Sequence, residues 1–287
     1  MPTALRRPAS YDDMTEELAP MPDDFSPVIR TDIPHSARIW NYWMGGKDNF
    51  EIDRVVGDAG AEVDPDIKTM AVESRQFLVR SVRHLAAEEG IRQFLDIGTG
   101  LPTMQNTHEV AQSVAPDAKI VYVDNDPMVL AHARALLVNT TPEGVTTYVD
   151  CDYHKPEQII ADARNVLNFS QPIGVMFMGV LGHAQTYEDL RRIVSTVMDA
   201  VPSGSYLTMW DGTIDSQAYV DLCEGYAKTG GVPYIPRPRE EIRAVFDGLE
   251  MLPPGFVSIT QWWAHEDDAD LSEAEPISAY GAVARKA

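Results

Sequence analysis

Cysteine is scarce in this sequence, and long apolar runs are absent from it. Only Cys151 and Cys223 occur among 287 residues, too few for a disulfide framework or a cysteine-based zinc site. No other metal-ligand spacing occurs, so we expect no metal. No apolar run approaches the roughly 18 residues of a membrane-spanning helix, and residues 1–8 lack the apolar stretch of a secretory signal. These absences predict no membrane contact and favour a cytoplasmic location.

Positive charge is also scarce. The chain has 23 Lys and Arg against 44 Asp and Glu, a formal net charge of −21. A protein that binds nucleic acid needs a basic surface that displaces counterions from phosphates, and the sequence contains no such cluster. We therefore expect a small-molecule ligand and no nucleic acid partner. The sequence indicates no oligomeric state.

Three segments of different character divide the chain. Residues 1–30 are rich in Pro, Asp and Glu and show no period, which predicts a flexible tail. Residues 31–90 predict an N-terminal helical cap, with a short helix near Pro34–Met44 and a longer helix that has Asp64 as its N-cap and Pro65 as its first residue. Residues 91–287 predict one α/β domain, because short apolar runs alternate there with helical patterns.

This alternation predicts a seven-stranded sheet that is mostly parallel and covered by helices on both faces. A parallel neighbour needs a crossover connection of a dozen or more residues, usually a helix. The last two predicted strands have only a short acidic loop between them, so we expect the last strand to be antiparallel. The predicted strands are Gln93–Ile97, Lys119–Val123, Val145–Val149, Ile173–Met178, Ser205–Met209, Val257–Trp262 and Ala279–Ala284.

A glycine-containing turn follows the first predicted strand. The segment Phe94-Leu-Asp-Ile-Gly-Thr-Gly-Leu-Pro102 places Asp96 before Gly98 and Gly100. Glycine lets a backbone approach a ligand closely, and ligands of open α/β sheets bind at the carboxyl ends of the strands. A tight turn that binds nothing has the same pattern, so this segment alone leaves both interpretations open.

Acidic residues end the next two predicted strands. Asp124 lies 24 positions after Gly100, near the roughly 20 residues at which a carboxylate meets a ribose hydroxyl in such folds. Asp126 stands directly before a proline and is expected to cap the next helix instead. Asp152 follows the third strand, where it can accept a hydrogen bond from an adenine amino group or cap the following helix. These acids predict a nucleoside site.

The turn favours S-adenosylmethionine over a dinucleotide. A dinucleotide fingerprint has the form Gly-x-Gly-x-x-Gly, but Thr103 occupies the third glycine position and Pro102 precedes it. Asp96 would repel a pyrophosphate and attract the ammonium group of a methionyl moiety.

Three motifs together resemble the actinobacterial S-adenosylmethionine-dependent methyltransferase family. They are Asp96-Ile-Gly-Thr-Gly-Leu-Pro, Tyr122-Val-Asp-Asn-Asp-Pro and Ala37-Arg-Ile-Trp-Asn-Tyr-Trp-Met-Gly-Gly-Lys-Asp-Asn-Phe50, and the resemblance extends from about residue 31 to the C-terminus. It implies a class I methyltransferase fold, which is a Rossmann-like seven-stranded sheet with an antiparallel last strand. It also implies S-adenosyl-L-methionine as cofactor and S-adenosyl-L-homocysteine as product, with no particular acceptor.

The resemblance implies roles for individual residues. Asp96, Gly98 and Gly100 would line the methionyl end of the cofactor, Asp124 the ribose and Asp152 the adenine. The other expected cofactor contacts are Asn125, Tyr153, Gly179, Lys47 and Asn49.

Lys47 and Asn49 belong to the most distinctive segment of the chain, Tyr42–Phe50. Its aromatics, two glycines and polar side chains suit a lid over the cofactor. The alternative is a helix-capping turn whose aromatics pack on the domain.

His183 follows the fourth predicted strand, where a methyltransferase holds its acceptor. A histidine there can remove a proton from the attacking nucleophile, and a hydrogen-bonded pocket wall is the alternative. Tyr187, Trp210 and Asp211 are further candidates to face the pocket.

We therefore expect an S-adenosylmethionine-dependent methyltransferase that transfers a methyl group to a small molecule by in-line attack. One alternative is a non-catalytic S-adenosylmethionine-binding sensor or partner-binding module, which predicts tight binding without turnover. Another is an enzyme that uses this cofactor for non-methyl chemistry, which predicts a different product.

Overall fold

The computed structural model describes residues 29–102, 105–136, 138–262 and 274–287. Residues 1–28 of the predicted tail, and most of the acidic loop before the last strand, lie outside the described residues. In the described part of the chain, no helix combines the length and apolar character needed to cross a membrane.

Five parallel strands form the centre of the sheet. They are β1 (Gln93–Ile97), β2 (Lys119–Asp124), β3 (Val145–Asp150), β4 (Gly174–Met178) and β5 (Tyr206–Gly212), in the spatial order β3-β2-β1-β4-β5. All residues of β1 and β5 are buried, as expected where helices cover both faces. The strand order reverses between β1 and β4, and ligands of open α/β sheets bind at such a switch point.

Antiparallel strands extend the sheet beyond β5. The two-residue strands β6 (Glu250–Met251) and β7 (Val257–Ser258) both pair with β8 (Ala279–Arg285), which itself pairs with β5 along its full length. The expected antiparallel last strand is therefore confirmed. The described sheet has eight strands instead of seven, because Pro253 and Pro254 interrupt the edge strand and have no N–H to donate to the ladder.

The predicted strand Val257–Trp262 is shorter than expected. After Ser258 the chain turns, and the N–H of Gln261 donates to the Ser258 carbonyl over 2.8 Å. Ile259 and Trp262 are nevertheless buried. The apolar residues that predicted a strand thus fill the core from a turn.

Helices cover both faces of the sheet. Phe94 and its neighbour Leu95 belong to separate apolar clusters, because successive side chains of a strand point to opposite faces. Helices α3, α4 and α8 contribute to the first cluster, and α6, α7 and α9 to the second. The described α-helices are α1 (Ser36–Trp43), α2 (Glu51–Val63), α3 (Ile67–Ala87), α4 (Thr107–Val114), α5 (Pro127–Leu136), α6 (Pro156–Ala163), α7 (Tyr187–Ala200), α8 (Gln217–Ala227) and α9 (Arg239–Ala244).

The predicted helix start at Asp64 is wrong. Asp64 is the C-cap of α2, which ends at Val63, and α3 begins at Ile67. Helix α2 is not expected from the sequence, because each of its interior glycines, Gly57 and Gly60, costs about 1 kcal/mol relative to alanine. Tertiary packing overrides this cost. A Cβ atom at Gly57 would lie 2.9 Å from the ring of Tyr42, so glycine permits the close approach of α1 and α2.

Candidate active site

A cavity of about 300 Å³ lies at the carboxyl ends of the parallel strands. Residues at or after the ends of all five strands line it, together with residues of α1 and α3 and one distant loop. The lining residues are His35, Ser36, Ala37, Trp40, Met44, Ser74, Arg75, Leu78, Asp96, Gly98, Thr99, Gly100, Leu101, Val123, Asp124, Asn125, Cys151, Asp152, Tyr153, His154, Met178, Gly179, Val180, His183, Trp210 and Val232.

The turn after β1 forms the floor of this cavity. Gly98 and Gly100 have φ angles of 74° and 64°, a region that favours glycine. A Cβ atom at Gly98 would lie 2.4 Å from the side chain of Val180, so packing against the loop after β4 also requires glycine there. The N–H of Gly98 donates to the Val123 carbonyl over 2.8 Å, which ties the turn to β2.

Asp124 ends β2, and its carboxylate accepts three backbone N–H groups. Oδ2 accepts from Gly100 at 2.9 Å, and Oδ1 accepts from Asn125 at 2.9 Å and from Asp126 at 3.0 Å. Burial raises the pKa of Asp124, and the bonds from Asp126 and Gly100 act to lower it. A carboxylate offers roughly four acceptor positions, so Oδ2 can accept a further hydrogen bond from a ligand hydroxyl.

Asp126 caps α5, as the sequence predicts. Its Oδ1 accepts the N–H groups of Met128 at 2.6 Å and Val129 at 3.3 Å, and its Oδ2 lies 3.0 Å from Nδ1 of His35. Partial burial raises the pKa of Asp126, but the interaction with His35 and the capping bonds leave it below its usual value. The His35 contact joins the residue before α1 to the start of α5.

Asp96 lines the cavity and is almost fully buried. Its Oδ2 accepts a 2.6 Å hydrogen bond from the Thr107 hydroxyl. Burial raises the pKa of Asp96 to about 6, although this bond and the charge of Arg75 act in the opposite direction. Arg75 therefore places a positive charge near Asp96 on the same cavity wall.

The end of β3 supplies Asp152, Tyr153 and His154 to the cavity. Asp152 Oδ1 accepts the backbone N–H of His154 at 2.9 Å and lies 2.8 Å from its Nδ1. Partial burial raises the pKa of Asp152, but the bonds from His154 hold it below its usual value. Asp152 therefore carries a negative charge at neutral pH and already has one partner.

Of the lid segment Tyr42–Phe50, only Met44 lines the cavity, and the other contacts on this side come from the residues before it. His35, Ser36, Ala37, Trp40 and Met44 line the cavity from α1 and its flanks, whereas Lys47 and Asn49 do not. The Nδ2 group of Asn49 donates to Asn41 Oδ1 and to the Gly46 carbonyl, both over 3.0 Å. The backbone N–H of Asp48 donates to the same Asn41 oxygen, so residues after α1 form a hydrogen-bonded turn.

The candidates after β4 and β5 separate into two groups. Gly179 and Trp210 line the cavity, and a Cβ atom at Gly179 would lie 2.5 Å from the Trp210 ring. Asp211 is buried behind that wall, where it accepts the hydroxyl of Tyr234, and burial raises its pKa to about 6. Tyr187 lies away from the cavity and donates to the Glu241 carbonyl over 2.9 Å.

His183 lies in a 3-10 helix, Leu181–His183, directly after β4. Its Nδ1 is 2.9 Å from the Pro233 carbonyl. A carbonyl only accepts, so Nδ1 carries the proton and Nε2 presents a lone pair. Burial lowers the pKa of His183, although the Pro233 bond acts to raise it. The side chain is thus a neutral histidine at pH 7.

Arg237 fixes the turn that holds His183. It is buried, and its guanidinium donates to the carbonyls of Leu181 at 3.3 Å, Ala184 at 2.5 Å and Ile235 at 3.1 Å. The planar fork of arginine suits several acceptors at once. Arg237 therefore holds both ends of the turn against the loop before α9.

A second cavity of about 250 Å³, which we call the apolar chamber, lies between α1–α2 and α8. Ser36, Trp40 and His183 line both cavities. The other residues of the chamber are mainly aliphatic or aromatic side chains. They are Ile39, Trp43, Val55, Val56, Ala59, Gly60, Val63, Ile67, Tyr219, Asp221, Leu222, Cys223, Gly225, Tyr226, Thr229 and Tyr234.

Sequence reasoning does not identify His35, Arg75 or the Arg237 contact. Arg75 has a signal that could be used: it interrupts the buried face of α3, four residues after Ala71 and three before Leu78, both of which are buried. His35 and Arg237 have none, because their partners lie far away in the sequence.

The cavity suits a nucleoside joined to an amino acid. Acidic side chains stand at the ends of β1, β2 and β3, so the cavity offers several acceptors to a ligand that carries ammonium, hydroxyl or amino groups. The turn after β1 brings backbone close to the same space.

Comparison with known proteins gives a consistent family match. The family model described as S-adenosyl methyltransferase matches residues 23–287. A DUF574 family protein from Streptomyces avermitilis is 41% identical, with a TM-score of 0.83 over 90% of this chain and 100% of that chain. A candidate methyltransferase from Thermobifida fusca is 40% identical, with a TM-score of 0.80 over 92% of this chain and 96% of that chain. A search of curated proteins finds no match.

Proposed function

The chain belongs to the S-adenosyl methyltransferase family, and from that premise we propose that it methylates a small-molecule acceptor with His183 as general base. It is an S-adenosylmethionine-dependent methyltransferase of class I fold, and S-adenosylhomocysteine is the product. The acceptor and the roles of individual residues are our proposals. The observation that supports the role of His183 is its position on the wall between the two cavities, both of which it lines.

We assign the cofactor contacts from the residues that line the first cavity. Asp96 would hold the ammonium of the methionyl group, Asp124 a ribose hydroxyl and Asp152 the adenine amino group, because each is a buried or half-buried acceptor at a strand end. Asn125, Tyr153, Gly98, Gly100 and Gly179 would complete the walls. Lys47 and Asn49 have weaker support, since neither lines the cavity.

The bound cofactor supplies an electrophilic methyl group. The protein then has to orient the acceptor and exclude water. Residues 31–90 would serve as the cap, because α1 lines both cavities. The Nε2 lone pair of His183 would accept the acceptor's proton, and its lowered pKa keeps that lone pair available at pH 7.

Two features support a small acceptor. The acidic chain, with a net charge of −21, disfavours a nucleic acid substrate. The apolar chamber, at about 250 Å³, is slightly smaller than the roughly 300–1,000 Å³ of typical ligand pockets. The two free cysteines support a reducing cytoplasm as the place of reaction.

The test is to follow label from methyl-labelled S-adenosylmethionine in an extract of Streptomyces avermitilis. We expect label in the low-molecular-weight fraction. His183→Gln should reduce labelling by about 100-fold or more, the usual contribution of a general base, while its affinity for S-adenosylhomocysteine stays unchanged. Label confined to RNA or protein would contradict the proposal.

A further inference from the structure

We propose that the apolar chamber is the acceptor site and that it takes a neutral, flat aromatic compound. This inference rests on the proposed function, because it names the acceptor class for the same reaction. It would place the acceptor against α2 and α8, on the far side of Trp40 and His183 from the cofactor cavity.

The chamber adjoins the cofactor cavity along a shared wall. Ser36, Trp40 and His183 line both spaces. The imidazole of His183 has its Nδ1 proton engaged by the Pro233 carbonyl, so Nε2 is the nitrogen left to accept a proton. Among the described residues, His183 is the one histidine that lines both cavities. An acceptor in the chamber would therefore lie next to the same imidazole that borders the cofactor cavity.

Aromatic side chains face the chamber from two sides. Trp40 and Trp43 of α1 meet edge to face, with ring centroids 5.7 Å apart. Across the chamber, Tyr234 meets His183 at 5.2 Å and Tyr219 at 6.3 Å, both edge to face. Aromatic rings attract other rings in edge-to-face or offset-stacked arrangements, so these walls select a flat ring over a saturated one.

The chamber offers no buried counterion for a charged ligand. Burial raises the pKa of the Cys223 thiol to about 12 and lowers that of His183, so both are uncharged at pH 7. Asp221 carries the only side-chain charge among the described lining residues, and it is exposed. A charged group without a partner is costly to bury, so the chamber favours a neutral compound.

The chamber is accessible from outside. Val55 and Val63, which line its outer side on α2, are 58% and 46% exposed. A ligand can therefore enter without passing through the cofactor cavity. Exposed apolar side chains at a concave site are typical of a binding surface.

The experiment measures binding of three ring compounds by calorimetry, with and without S-adenosylhomocysteine. Naphthol is neutral and aromatic, naphthalenesulfonate is anionic and aromatic, and decahydronaphthol is neutral and saturated. We expect naphthol to bind at least about tenfold more tightly than either of the others, and to bind together with S-adenosylhomocysteine. In the wild type, naphthol protons should give nuclear Overhauser effects to the methyl groups of Val55 and Val63.

A matched pair of variants on α2 tests the location. A Cβ atom at Gly60 would lie 3.4 Å from Leu222 and Trp43, which both line the chamber, so Gly60→Leu must crowd it. Glu62 is exposed and lines neither cavity. We expect Gly60→Leu to weaken naphthol binding about tenfold or more and Glu62→Leu to leave it unchanged.

Three results would overturn the inference: equal binding of decahydronaphthol or naphthalenesulfonate, displacement of naphthol by S-adenosylhomocysteine, or absent contacts to Val55 and Val63. The nuclear Overhauser measurement needs only the wild type, so it still tests the inference if Gly60→Leu fails to fold. Failure of S-adenosylhomocysteine to bind is a separate outcome that contradicts the proposed function, not the ligand preference of the chamber.

Discussion

Buried ionisable residues set the chemistry of the cavity at the scale of single side chains. Desolvation disfavours a charged form, so it acts in opposite directions on acids and bases. It raises the pKa of Asp96 and of Asp211 to about 6 and lowers that of His183. In the proposed function, Asp96 would hold the cofactor ammonium through its ionised form, and the neutral imidazole of His183 would accept the acceptor's proton.

Asp96 should make the protein less stable as pH rises. Because its folded pKa is about 6 against 3.8 in the unfolded chain, the folded state binds more protons between these values, and the free energy of unfolding falls with rising pH. Asp96→Asn removes this dependence. We expect the free energy of unfolding of the variant, relative to wild type, to rise by about 1 kcal/mol between pH 5 and pH 7.5.

Urea unfolding at several pH values measures this difference. Arg75 stays charged throughout this pH range in both proteins, so it contributes no titration of its own to the difference. A difference that stays constant across the range would show that Asp96 ionises normally.

His183 should titrate below the ordinary histidine value of roughly 6.5. Its burial disfavours the imidazolium form more strongly than the Pro233 carbonyl favours it. NMR titration of the imidazole carbon and proton signals, assigned with His183→Gln, measures the midpoint. A midpoint at or above that of a free histidine would remove the case for a neutral base at this position.

At the scale of elements, a buried ion pair joins α1 to α2. Arg38 Nε lies 2.8 Å from Asp53 Oδ2, and both side chains are buried. Asp53 also accepts the N–H of His35 at 3.0 Å and that of Phe50 at 2.9 Å. One carboxylate therefore fixes the start of both helices, and with them the α1 wall of the cofactor cavity.

Asp53→Asn should loosen this pair of helices. Removing one member of a buried ion pair leaves the other charge without compensation and costs about 3–5 kcal/mol. We expect faster hydrogen exchange across α1 and α2 and weaker binding of S-adenosylhomocysteine. Asp58→Asn is the matched control, because exposed Asp58 makes one 2.7 Å bond with Tyr42, and its loss should cost less than about 1 kcal/mol. Equal effects of the two variants would contradict the role of Asp53.

Strands were the most predictable elements because their signal is local. The five parallel strands are short and mostly apolar, and the helices between them are typical of parallel neighbours. Helix α2 and the turn after Ser258 were not predictable, because both depend on tertiary contacts. Gly57 is favourable in α2 only because Tyr42 lies against it.

At the scale of the whole molecule, topology explains how far the site could be predicted. The carboxyl ends of parallel strands meet at one edge of the sheet, so Asp96, Asp124 and Asp152 converge although they are distant in sequence. The cap contacts follow no such rule. Trp40 and His35 line the cavity, whereas Lys47 and Asn49 lie in a turn beside it. This difference depends on how α1 packs against the domain.

The most direct test of the account is calorimetric titration of the wild type, Asp124→Ala and Asp150→Ala with S-adenosylhomocysteine. Asp150 is the matched control because it pairs with Asp124 in the sheet register but is exposed and lies outside the cavity. Loss of a hydrogen bond to a charged acceptor should weaken binding by about 1.5–3 kcal/mol, roughly 10- to 150-fold. We predict that the wild type and Asp150→Ala bind alike and that Asp124→Ala binds more weakly by that factor. A folded wild type that does not bind, or an Asp124→Ala variant that binds as tightly, would contradict the assignment of this cavity to the cofactor.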